Sequence, residues 1–138
     1  MAEMDSWHRG RLIDHIQLVV RDLEAARRFY GAALAALGVP VMDGDGYFYA
    51  DELFVSTGEP LTGRAHLAFQ AQDRETVQRF YDAALAAGGT DNGAPGLRPY
   101  HADYYAAFVL DPDGNNIEAV YHGPAERSAP SVEIRARS

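Results

Sequence analysis

Two histidines and one glutamate carry the chemistry this sequence suggests. His15 lies in DHIQLVV and His66 in AHLAFQA, each beside alternating apolar residues. Such runs predict strands, and alternation puts His15 on one face with Ile13, Gln17 and Val19. Glu118 falls in NIEAV. A carboxylate between apolar strand residues is unusual unless it is paired, exposed or ligating. Two imidazoles and a carboxylate on rigid strands form the set used by octahedral Fe(II) or Mn(II) sites with open positions. Those positions admit substrate oxygens. The plainer alternative is also physical: a strand histidine is commonly a satisfied polar or surface residue, and Glu118 suits an edge strand facing water. The residues alone leave both readings open.

What positions these side chains is an internal repeat. Residues 15–38, HIQLVVRDLEAARRFYGAALAALG, align without a gap to residues 66–89, HLAFQAQDRETVQRFYDAALAAGG, and 12 of 24 positions are identical. His15 and His66 are repeat mates. Two copies are too few for a solenoid, so they predict a pseudo-symmetric pair of modules. Each copy reads alike. A strand (12–20, then 65–70) leads to an Asp N-cap, Asp22 or Asp73. A helix follows with apolar residues at helical spacing, stopped by Gly38 or by Gly88-Gly89. Phe29-Tyr30 and Phe80-Tyr81 are expected to dock the helices onto sheets. Short strands come next, at 40–42, 46–50 and 53–57 in the first copy. In the second they are expected near Thr90, then at 104–110 and 115–121, with a turn at DPDG between the last two. The fold class is therefore α+β, two βαβββ modules. A single domain covers 11–122 (module one 11–62, module two 64–122), with a polar tail over 123–138. Residues 90–103, rich in Gly and Pro, are expected to form a long irregular loop of the functional kind.

Several residues flank the expected cavity. His101 suits a general acid or base, and Tyr104 or Tyr105 could face inward, one only because they alternate. Arg98 is read either as an anion contact or as a solvated loop cation. His122 shares the Glu118 face and is expected to be peripheral. Asp111 and Asp113 are read as turn formers, not ligands.

Composition removes several function classes. Hydrophobic residues at 47% and charged residues at 23% exclude a disordered or fibrous chain. Without Cys there is no disulfide framework, thiol nucleophile or thiolate metal site. Every basic residue is Arg, which excludes Lys Schiff-base and P-loop chemistry. Twenty acidic against 12 basic residues, a net charge of -8, argue against nucleic-acid and anionic-membrane partners. No apolar run reaches membrane-spanning length, and the polar start lacks a signal-peptide pattern, so the cytoplasm is the expected location.

The segments IDHIQLVVRDLEAARRFYGAAL, AHLAF and YYAAFVLDPDGNNIEAV together resemble the vicinal oxygen chelate superfamily, which includes glyoxalase I, extradiol dioxygenases, fosfomycin-resistance enzymes and bleomycin-binding proteins. The resemblance implies paired modules forming a half-open mixed-sheet barrel, glyoxalase/dihydroxybiphenyl dioxygenase-like, around a divalent metal. By residue matching it implies His15, His66 and Glu118 as ligands of Fe(II), Mn(II), Zn(II) or Ni(II), a small-molecule substrate with adjacent oxygens, and a homodimer. The implied chemistry is of the lyase/isomerase or ring-opening dioxygenase kind, with His101 and Tyr104 as catalytic candidates. The alternative is a non-catalytic, bleomycin-resistance-like binder, its cavity lined by Tyr47, Tyr49, Phe54 and Tyr104. There are departures from the pattern. Phe54 stands where glyoxalase I has a fourth ligand, and Phe108 stands where extradiol enzymes have a tyrosine. Arg98 is the one basic residue of the variable loop.

Overall fold

The computed structural model describes residues 6–137. Module one runs β2 (Ile16–Val19), α1 (Leu23–Ala36), β3 (Met42–Gly44), β4 (Tyr47–Ala50) and β5 (Leu53–Ser56). Module two runs β6 (His66–Gln70), α2 (Arg74–Ala86), β7 (Thr90–Leu97), β8 (Tyr105–Leu110) and β9 (Asn116–Tyr121). β1 (Ser6–Arg9) pairs antiparallel with β10 (Val132–Arg135), so a part of the expected tail forms a ribbon with the segment before module one. The two four-stranded sheets repeat one topology, β2-β5-β4-β3 and β6-β9-β8-β7, with the first pair parallel and the rest antiparallel. The sheets do not close on one another, which gives the half-open α+β arrangement.

The helix signals act as expected. The Asp22 carboxylate accepts from the Ala25 N–H at 3.1 Å, and that of Asp73 from the Thr76 N–H at 2.7 Å. The left-handed residues after the helices are Gly38 and Gly88, so the second stop comes one position earlier in the alignment. Phe29, Tyr30 and Phe80 are fully buried.

Two expectations need correction. The strand expected over 12–20 is confined to Ile16–Val19. A turn closed by Gly10 N–H to the Ile13 carbonyl precedes it, so His15 stands in the segment just before β2. The irregular loop expected over 90–103 is largely β7, eight residues long. Two register shifts, around Gly93 and toward Gly96, let the Gly- and Pro-containing strand pair with β8 at the sheet edge.

The modules meet helix against helix. Phe29 of α1 presses against Gly89, where an added Cβ would lie 2.8 Å from the Phe29 ring and 2.5 Å from Val109. No side chain fits there. Beside this contact the Tyr30 hydroxyl donates to Asp111 at 2.5 Å, joining the first helix to the DPDG turn of module two. With helices at the centre, each sheet turns its other face outward. In module two that face carries His66, Ala68, Phe108 and Glu118.

Candidate functional site

Strand register assembles the site. Ala68, Glu118, Phe108 and Gly93 stand in one row across β6, β9, β8 and β7. His66 is two residues before Ala68 and so shares its face. Its Nε2 lies 2.9 Å from Glu118 Oε1. Glu118 is 2% exposed, and its second oxygen accepts a short hydrogen bond from the Tyr104 hydroxyl. A carboxylate only accepts, so His66 holds its proton on Nε2 in this pair.

Burial raises the Tyr104 pKa first, and the bonded, charged Glu118 raises it further, to about 12. Tyr104 is therefore a donor at neutral pH and not a base. NMR of metal-free protein carrying labelled tyrosine is expected to show Tyr104 titrating near pH 12. With Glu118→Gln the value is expected to fall but to stay above an ordinary tyrosine's, because burial, the larger cause, remains. A Tyr104 that titrates normally in the parent chain would contradict the buried hydroxyl–carboxylate contact.

His101 and His122 form a second pair. Their rings stack at 5.0 Å, and His101 Nε2 lies 2.8 Å from His122 Nδ1. His101 Nδ1 is 2.7 Å from the Ala102 carbonyl, which can only accept, so Nδ1 carries the proton. In the neutral pair His101 Nε2 then accepts from His122 Nδ1–H, and His122 Nε2 is left as the free base. Both rings stand edge-on to Tyr104, at 5.2 and 5.4 Å. His122, expected to be peripheral, thus belongs with His101. Its place two residues beyond Val120 on the Glu118 face was the available signal.

His15 stands apart from this group. Its Nδ1 lies 2.7 Å from Asp14 Oδ1, and its side chain is 65% exposed. Among the described residues no three His, Asp or Glu side chains come together as a metal site. Module one offers no carboxylate at the equivalent place. Gln17 pairs with Phe54 as Ala68 pairs with Glu118, so Phe54 occupies the glutamate's position. Phe54 stacks on Tyr47 at 5.0 Å, and Tyr47 lies 6.4 Å from Tyr49. Module one thus presents an aromatic wall where module two presents a polar one.

Of the three expected ligands, the described residues bring His66 and Glu118 together and leave His15 apart. Two ligands at right angles about an ion with ~2.1 Å bonds lie about 3.0 Å apart. The 2.9 Å between His66 and Glu118 is that of an ordinary hydrogen bond and is also compatible with that geometry.

The family model described as the Glyoxalase/Bleomycin resistance protein/Dioxygenase superfamily matches residues 12–119. The chain belongs to this superfamily. A glyoxalase/bleomycin resistance protein from Albidiferax ferrireducens T118 is 32% identical, with a TM-score of 0.71 over 79% of this chain and 97% of that one. A glyoxalase-related enzyme from Fulvimarina pelagi shares the fold at 22% identity, with a TM-score of 0.69 over 92% and 99% of the two chains. The fosfomycin resistance protein FosX from Mesorhizobium loti shares it at 20% identity, with a TM-score of 0.57 over 80% and 91%. No curated protein matches the chain. Among the described residues of this superfamily member, no helix is long and apolar enough to cross a membrane.

Proposed function

We propose that the chain is a cytoplasmic, homodimeric, metal-dependent enzyme acting on a small molecule with adjacent oxygen atoms. The observation that supports this reading is the pairing of His66 with a buried carboxylate, Glu118, on neighbouring strands of one sheet face. Among the described residues no third ligand stands beside them, and the repeat mate of His66 is His15, exposed at the entrance to β2. Setting the module-one face of one copy against the module-two face of another would bring the partner's His15 to His66 and Glu118. It would also set the Tyr47–Phe54 wall opposite the polar one and enclose a cup.

Fe(II), Mn(II), Zn(II) or Ni(II) held there supplies Lewis acidity toward the substrate's oxygens. The remaining work falls to the chain's own groups. To ligate through Nε2, His66 would carry its proton on Nδ1 instead, so a bound metal would replace its hydrogen bond to Glu118. Tyr104 stays protonated and fixes the Glu118 carboxylate. The His101–His122 pair accepts or returns a proton at His122 Nε2, as lyase or isomerase chemistry requires. Ring-opening dioxygenation would use the same ligands.

The test is elemental analysis of protein purified without chelators. About one divalent ion per chain is expected, and His66→Ala and Glu118→Ala should abolish it. A screen of diketones, thiol hemiacetals and catechols with an oxygen electrode then separates the two chemistries. A second reading, metal-free sequestration of a small molecule, is favoured by the stacked aromatic wall. Protein without metal that binds an aromatic ligand equally well after Glu118→Ala would establish that reading and overturn the first.

A further inference from the structure

Arg98 stands beside the His66–Glu118 site with no carboxylate to serve. Among the described residues it forms no ion pair, although acidic side chains outnumber basic ones in this chain. Its guanidinium instead lies over the face of Phe108, 5.3 Å from the ring centroid. Phe108 is the direct strand neighbour of Glu118, and its ring also lies 6.0 Å from that of His66. Arg98 therefore stands on the same face as the candidate ligands.

The bulged strand is shaped to hold it there. A Cβ at Gly93 would lie 3.2 Å from one terminal guanidinium nitrogen, and a Cβ at Gly96 3.1 Å from the other. Side chains at these two positions would crowd the head group. Gly93 also has φ of +151°, a conformation that L side chains rarely adopt. The nitrogens donate to the Ala94 carbonyl at 2.8 Å and the Leu97 carbonyl at 3.4 Å. Two of five N–H donors are used in this way, and three remain. The outcome is a fixed planar cation, half-buried on an aromatic ring, with donors to spare. A carboxylate is the natural occupant of such a fork.

We propose that Arg98, seated on Phe108 by the glycine bulges of β7, is an anion subsite that selects substrates carrying a carboxylate. Strand spacing sets the reach. Gly93, Phe108 and Glu118 are consecutive across the sheet, so an anion on Arg98 sits one to two strand spacings, ~5–10 Å, from Glu118. The substrate class is a small carboxylate whose adjacent oxygens meet His66 and Glu118 while its carboxylate reaches the free donors of Arg98. This rests on the proposed reading of the site.

The test is calorimetric titration of the full-length, metal-supplied protein with two matched probes, 3,4-dihydroxybenzoate and the uncharged 3,4-dihydroxybenzamide. The acid should bind at least tenfold more tightly, and added salt should narrow the gap. Arg98→Gln should bring the two affinities within about twofold while leaving the amide's unchanged, and Arg98→Lys should retain part of the preference. Melting temperatures of the variants separate this role from simple packing on Phe108, which predicts lost stability with the acid–amide ratio intact. Equal affinities in the parent chain, or a gap that survives Arg98→Gln, overturn the subsite. If the amide binds and Glu118→Gln abolishes it, the site reading survives such a failure. If neither probe binds the parent chain while it holds about one metal ion, the subsite falls and the site reading stands; if it holds no metal either, both fall.

Discussion

Asp111→Ala is expected to cost about 3–5 kcal/mol of folding free energy, among the largest losses available outside the apolar core. The carboxylate is 4% exposed and accepts four hydrogen bonds. They come from the Tyr30 hydroxyl at 2.5 Å, the Asp113 N–H at 2.9 Å, and the Asn115 backbone and side-chain N–H groups at 2.8 and 2.9 Å. Alanine would leave those donors unpaired in an interior too tight for free solvation. Tyr30 itself is held neutral: burial first, then the Asp111 charge, pushes its pKa well above the ordinary tyrosine value. Its hydroxyl is thus a dependable donor at neutral pH. Tyr30→Phe removes one charge-assisted bond and leaves three, so about 1.5–3 kcal/mol is expected. Urea unfolding monitored by circular dichroism measures both. A loss below about 1 kcal/mol for Asp111→Ala would mean that the clamp is not the joint described here.

That joint also positions the candidate ligands. The Asn115 side chain, held by Asp111, accepts from the Ala65 N–H at 2.8 Å, and the Ala65 carbonyl accepts from Asn116 at 2.8 Å. Ala65 immediately precedes His66, and Asn115 begins the turn into the strand of Glu118. Damage at Asp111 should therefore disturb the His66–Glu118 pair as well as the junction between modules.

What the sequence made legible was local. The repeat, the Asp caps, the glycine stops and the DPDG turn depend on residues a few positions apart, and each recurs in the fold. The bulged strand β7 was not legible, because Gly93, Pro95 and Gly96 erase the alternation that marks a strand, and its pairing comes from β8. Asp111 was legible as a turn former. Its bond to Tyr30, 81 residues away, was not, because nothing in either local pattern announces the other. The same limit governs the ligands. The repeat establishes that His15 and His66 are equivalent. Equivalence is a statement about symmetry and not about distance. Helix-against-helix packing at the module junction leaves the two histidines with different partners, Asp14 for one and Glu118 for the other. His66 and Glu118 met because the first and last strands of module two are neighbours in one sheet, a pairing that no local pattern announces.

Mixing two inactive variants is expected to restore metal binding. If each site draws His15 from one copy and His66 with Glu118 from the other, His15→Ala and Glu118→Ala proteins should each hold little metal alone. In a mixed dimer, one site loses both substituted ligands and the other keeps all three. Random pairing makes about half of the dimers mixed, so about a quarter of the parent metal content should return after the two are unfolded together and refolded. Activity, where a substrate is in hand, should return in the same proportion. Ligands drawn from one chain predict no recovery at any mixing ratio. Full metal content in His15→Ala alone would remove that residue from the site. The expectation has a structural cause: module one offers an imidazole but puts Phe54 where a carboxylate is needed, whereas module two holds His66 and Glu118 together. The two halves are unequal, and the mixing result decides whether that inequality serves a site shared between copies.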